Sequence, residues 1–195
     1  MIRQRFTLEK YGWDVYTYYA VDTYYVDEII DNMYSIGCDG DMLRTAYDNM
    51  SSGKMNTGVT YSNLRDRKTV MVIAITSSAK EFEKSWRHEC GHLATHICQA
   101  LNITLYGEEI QYIGDDIVEK MWEYAHPLLC ECDCCKRKVE KLRKKQMLKA
   151  IKSETPINNM YSLIPTDKRN AFKRFASCFG FTEERIKKIL SEEKK

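Results

Sequence analysis

Nowhere in its 195 residues does the chain carry about 18 consecutive apolar residues, the length that a membrane-spanning helix requires. A helical membrane span is therefore excluded. The opening MIRQRFTLEK lacks the apolar stretch of a secretory leader, so no export signal is read there and a cytoplasmic location is expected. Internal repeats are absent. Histidine is scarce, with four in the chain, and three of these fall within a single twelve-residue stretch. Cysteine is not scarce. Without an export signal, however, the eight cysteines are expected as reduced thiols rather than as a disulfide framework.

A hydrophobic content of 44% and an aromatic content of 11% suffice for one packed domain, or one domain with an appendage. The overall charge of +2 conceals a reversal. Residues 1–129 hold 12 Lys+Arg against 19 Asp+Glu, net −7, whereas residues 130–195 hold 18 against 9, net +9. A sign change of this size points to two parts with different surroundings.

IRQRFTLE and DVYTYYAV are rich in β-formers and are joined through Tyr-Gly-Trp, which predicts two strands and a turn. Tyr25 to Ile36 places Val26, Ile29, Ile30, Met33 and Ile36 on one helical face, with Gly37 as the stop, and a second short helix is expected over Gly40 to Met50. A hairpin follows, VTYS then TVMVIAIT. Its second strand is apolar from Val70 to Ile75 and is expected to be central. Ser77 or Ser78 can cap a helix running to about Leu101, and a further helix is expected from about Glu108 to Tyr124, before Pro127. KRKVEKLRKKQMLKAIK, residues 136–152, is helix-compatible, with nine basic residues and one acidic. Ser153 to Pro165 reads as a linker, and two short helices are expected after it.

The stretch SWRHECGHLATH, Ser85 to His96, carries the chemistry. On a helix of 3.6 residues per turn, Phe82, Trp86, Leu93, Ile97 and Leu101 share the core-facing side, and His88 and His92 lie roughly opposite. Imidazoles one turn apart can converge on one Zn²⁺. Glu89 is then placed to take a proton from a zinc-activated water and pass it to a leaving amine, which is the mechanical content of HExxH. Gly91 would let another segment approach closely. His96 is eight residues from His88, too far along the axis to share that ion with both partners, so a supporting or surface role is expected for it. A third ligand is expected from the following helix, if that helix packs on the histidine face. Glu108 and Glu109 open it, and spacing does not choose between them. Asp115 and Asp116 are candidates to orient His88 or His92.

Taken together, NTGVTYSN, SSAKEF, HECGHLATHI, GEEIQY and HPLLCECDCC resemble a group of short HExxH proteins encoded in bacteriophages and prophages, similar to minimal gluzincins. The resemblance covers roughly residues 3–135. It implies a small sheet bearing the HExxH helix, with His88 and His92 as ligands and Glu89 as base. Glu108, four residues before Tyr112, would be the third ligand. Gln111 stands where the group often has Ala.

Cys130, Cys132, Cys134 and Cys135 form a C-x-C-x-C-C cluster that could bind a soft metal such as Zn²⁺ or Cu⁺, although it lacks the paired C-x₂-C spacing of a zinc ribbon. His126 and Cys178 are candidates to assist it. The expected architecture is α+β: a zincin-like domain over residues 1–135 with a small, mostly antiparallel sheet, followed by a basic helical extension over 136–195. The expected function is a zinc-dependent metallopeptidase of gluzincin type, in the cytoplasm of a bacterial host, acting on a peptide or protein. The competing expectation is a non-catalytic phage structural or assembly protein, virion-associated, whose basic residues 136–152 contact other phage proteins or nucleic acid.

Overall fold

The computed structural model describes residues 1–21, 25–53 and 58–153, the side chains of 147–153 excepted. The linker and paired short helices expected beyond Ser153, with Cys178, lie outside the described residues. The chain divides into two compact units, Met1–Glu140 and Lys141–Lys195.

Four strands build one mixed sheet: β1 (Ile2–Leu8), β2 (Trp13–Val21), β3 (Gly58–Asn63) and β4 (Lys68–Ala74), in the order β1-β2-β4-β3. The two hairpins, β1/β2 and β3/β4, are antiparallel as expected, and a parallel pairing of β2 with β4 joins them. Two helices, α1 (Val26–Ser35) and α2 (Gly40–Ser51), lie between the hairpins in the chain, and with β3 they make up the connection from β2 to the parallel β4. The apolar run Val70 to Ala74 is fully buried, which suits its central position in β4.

Each face of the sheet has its own helices. Tyr18, Val70 and Val72 point into a core formed with Val26, Ile29 and Met33 of α1 and with Ala46 and Met50 of α2. The opposite face meets α3 (Ala79–Leu101) and α4 (Glu109–Leu129). There Tyr19 stacks on Tyr124, and the Cys90 Sγ lies 3.8 Å from the Met121 Sδ. The α4 helix runs past Pro127 rather than ending before it. The proline forfeits one backbone bond, and so close to the helix end this does not stop the last turn. Helix α5 (Asp133–Ser153) follows after a bend.

A line of hydroxyls, buried at Thr69 and half-buried at Ser62, ties three strands to α3. The Trp13 Nε1 donates to Thr69 Oγ1 at 2.8 Å, Thr69 Oγ1 lies 2.7 Å from Ser62 Oγ, and Ser62 Oγ lies 2.8 Å from His96 Nδ1. The indole can only donate, so the Thr69 oxygen accepts from it, and the Ser62 hydroxyl carries the line on to the imidazole. Burial, and then His92, lower the pKa of His96, which favours the neutral imidazole.

Replacing Thr69 with Val should leave the Trp13 indole without a partner and cost about 1–3 kcal/mol, measured by urea unfolding. Adding Trp13→Phe to that variant should cost less than the two single effects summed, because the orphaned donor is then gone.

Candidate metal centre

Helix α3 is pinned at both ends. The Ser78 Oγ accepts the Glu81 N–H at 3.2 Å, while the Glu81 carboxylate accepts from the Ser77 N–H at 3.1 Å and from the Ser77 hydroxyl at 2.6 Å. Asn102 closes the far end in the left-handed conformation, φ 54°. Between these caps Phe82, Trp86, Leu93 and Ile97 are buried as the apolar spacing implied, and Leu101 is half-buried.

His88 and His92 are exposed, and their Nε2 atoms lie 3.1 Å apart. Two nitrogens on a tetrahedral zinc, each at 2.0–2.1 Å, would sit about 3.3 Å apart. The pair therefore fits such an ion with little movement.

Glu89 is placed differently from its neighbours. It is only 2% exposed and lies against β3. Its Oε2 accepts from the Thr60 hydroxyl at 2.7 Å. Its Oε1 lies where a side chain on Gly58 would project, 2.8 Å from the position of a Cβ there, and that Cβ would also come within 2.4 Å of the Val72 carbonyl oxygen. Only glycine leaves this space. Burial raises the Glu89 pKa above the ordinary carboxylate value, and the Thr60 hydrogen bond and then His92 and His88 act in the other direction.

Strand β3 thus meets α3 through alternate residues. Gly58 and Thr60 receive Glu89, and Ser62 receives His96. Val59 and Tyr61, in between, turn to the α1/α2 core. None of Gly58, Thr60 and Ser62 was singled out from sequence, although the small-polar alternation in GVTYSN was the available signal. Gly91, expected to admit a neighbour, has nothing within 4 Å of where its side chain would be, and the close approach occurs at Gly58 instead.

The following helix does not bring its acids to the histidines. Helix α4 packs on α3 through Cys90 and Met121 and through Trp86 and Trp122. His88 and His92 each stand two residues from Cys90, about 160° around the helix from it, on the flank away from α4. Glu108 sits at the N-terminus of α4, its carboxylate accepting from the Tyr112 hydroxyl at 3.2 Å. The Glu109 carboxylate folds back against Gly107 and raises the Cys98 pKa after burial has done so. Asp116 accepts from the Tyr11 hydroxyl at 2.5 Å and pairs with Lys10, which puts it at the β1–β2 turn rather than behind a histidine. Asp115 is exposed. Cys90, inside the motif, is pushed up to about 12 by burial and then by Glu89, which favours its neutral thiol.

Among the described residues, one group of three His, Cys, Asp or Glu side chains is close enough to hold a metal ion together: Cys130, Cys132 and Cys135, with ligand atoms within 4.8 Å of one another. Cys134 adjoins it, its Sγ 2.7 Å from that of Cys132. Contacts from the Cys134 thiol, the Cys135 N–H and the Cys130 thiol lower the Cys132 pKa to about 6. No helix among the described residues is long and apolar enough to cross a membrane. No protein-family model, curated protein or solved structure matches the chain.

Because the fold raises the Glu89 pKa, it favours the neutral carboxyl. That stabilisation is full below the ordinary carboxylate pKa and is lost as pH rises through the folded value. Glu89→Gln is neutral throughout and still offers an acceptor to Thr60. In chelator, it should melt above wild type near neutral pH, with the gap closing below about pH 4 in thermal scans.

Proposed function

We propose that the chain is a zinc-dependent peptidase of gluzincin type, with a zincin-like arrangement of β3 and α3. The observation that carries this reading is the convergence of the His88 and His92 Nε2 atoms to 3.1 Å beside a buried carboxyl, Glu89, whose position is fixed by β3. A bare solvated face has no need of the buried acid, and metal binding alone does not require it.

His88 and His92 would hold the zinc. Bound there, zinc supplies Lewis acidity, polarising a carbonyl and bringing the pKa of a water toward neutrality. Glu89 acts as general base. Its raised pKa places its basicity closer to neutral pH than that of an exposed glutamate, which suits it to accept a proton from water and return it to the departing amine. Thr60 holds Oε2 and so orients the carboxylate. Among the described residues β3 is an edge strand of the sheet, with no strand paired on its outer side, and that side can take up an extended peptide as a further strand. A peptide bound there runs alongside the residues that hold Glu89. The substrate class is therefore unfolded or extended polypeptide, in keeping with the resemblance to phage-encoded HExxH proteins.

Elemental analysis of the purified chain should find one zinc that is lost in His88→Ala and in His92→Ala. Glu108→Ala separates two arrangements. Loss of zinc gives Glu108 the third position, through a rearrangement of the first turn of α4, and retention leaves that position to water. Glu89→Gln should keep the metal and lower hydrolysis of an unstructured peptide pool by about 10²–10⁴, read by mass spectrometry. A wild type that binds zinc yet cleaves no more than this variant would assign the protein a non-catalytic structural role.

Thr60→Val removes the contact that holds the Glu89 pKa down. The acid limb of kcat/KM should accordingly move to higher pH, with zinc content unchanged.

A further inference from the structure

We propose that Cys130, Cys132 and Cys135 form a second metal site, for a thiophilic d10 cation such as Zn²⁺ or Cu⁺, in the bend between α4 and α5. This site is independent of the histidine pair and of any peptidase activity.

The bend is built to bring the three sulfurs together. Helix α4 ends at Leu129 and Cys130 is extended, with φ −109° and ψ 127°. The chain then turns, and α5 starts at Asp133, which leaves Cys132 as the residue before the helix and Cys135 in its first turn. The Lys136 N–H donates to the Cys132 carbonyl at 3.1 Å, which closes that turn. The Cys130 and Cys132 sulfurs are 3.3 Å apart, and all three lie within 4.8 Å of one another. An ion with metal–sulfur bonds of about 2.3 Å holds its sulfurs roughly 3.8–4.0 Å apart, so Cys130 and Cys132 would part by about half an ångström to take it. The sulfurs that all lie within 4.8 Å of one another are those of Cys130, Cys132 and Cys135, so the ligand set is three sulfurs with Cys134 beside it.

Apolar packing does not account for the cluster, because Cys132 and Cys134 are exposed and only Cys135 is buried. The local geometry favours a thiolate at Cys132. The Cys135 N–H points at the Cys132 sulfur, 3.4 Å away, at the positive end of a 21-residue helix, and Lys136, Arg137 and Lys138 follow at once. Three thiolates with no imidazole or carboxylate in the group select a soft ion over Mg²⁺, Ca²⁺ or Mn²⁺. The open side of Cys132 provides a route for the ion, and the buried Cys135 anchors it.

Cobalt separates this site from the histidine pair, because only sulfur ligands give it a near-ultraviolet charge-transfer band. The full chain, reduced and freed of metal, should develop that band with one equivalent of Co²⁺. The band should be unchanged in the His88→Ala/His92→Ala chain and in Cys134→Ser. It should vanish in the Cys130→Ser/Cys132→Ser/Cys135→Ser chain, whose far-ultraviolet circular dichroism should match wild type. Should that triple variant misfold, the single exposed substitution Cys132→Ser serves in its place and should weaken Co²⁺ binding at least tenfold. Displacement by one equivalent of Zn²⁺ identifies zinc as the favoured ion. Resistance to Zn²⁺ with displacement by one equivalent of Cu⁺ identifies copper, and either result supports the site. The proposal is overturned by a wild type that shows no band, by a band that survives the serine substitutions, or by one lost in Cys134→Ser. It is equally overturned if the thiols form a disulfide in air and take up no Co²⁺ once reduced.

Discussion

The contact between β3 and α3 governs the rest of the candidate centre. A strand places every second residue on one face, and a helix returns to the same flank after about two turns. Gly58, Thr60 and Ser62 on the strand therefore meet Glu89 and His96, seven residues apart on the helix. The interface is polar, yet it is buried next to the sheet. Polar groups there consequently need partners, which Thr60 supplies to Glu89 and Ser62 to His96. The rotation of α3 about its own axis is fixed by these pairings as much as by Phe82, Trp86, Leu93 and Ile97. With that rotation set, His88 and His92 are left facing solvent.

Much of this was legible in the sequence. The hairpins, the central apolar strand, the capped helix and the exposure of His88 and His92 all follow from periodicity and capping residues, which are local signals. The parallel joining of the hairpins was not legible, because it depends on which edges meet after α1 and α2 have crossed. The burial of Glu89 was missed for a related reason. A helical wheel places it between the apolar stripe and the histidines, and only the arrival of Gly58, thirty-one positions earlier in the chain, decides that it is covered. Glu108 was tied to the histidines on the condition that α4 lie on their side of α3. The small and apolar partners Cys90, Met121, Trp86 and Trp122 bring α4 to the other flank, and no spacing rule could have revealed that.

The two groups of candidate ligands differ in hardness. Imidazole nitrogens suit zinc and its neighbours, while thiolates discriminate more sharply toward soft ions. They also differ in support. The histidine pair stands on the middle of a helix capped at both ends, whereas the cysteines occupy the bend where one helix ends and another begins. A rigid platform suits chemistry, where angles matter, and a bend that an ion can tighten suits structure.

The parallel pairing of β2 with β4 has a consequence for how the chain acquires its shape. It joins Asp14 to Lys68 and Val21 to Ala74, partners more than fifty positions apart, whereas each hairpin pairs neighbours across a short turn. Closing so long a loop is slow compared with zipping a hairpin, so the hairpins can form early and the seam between them late. Helix α3 follows the later hairpin directly and lies on β3 and β4, so Gly58 and Thr60 can cover the carboxyl of Glu89 without waiting for that seam. The altered basicity of that group is therefore a property of the β3–β4–α3 segment, carried into the finished sheet rather than created by it.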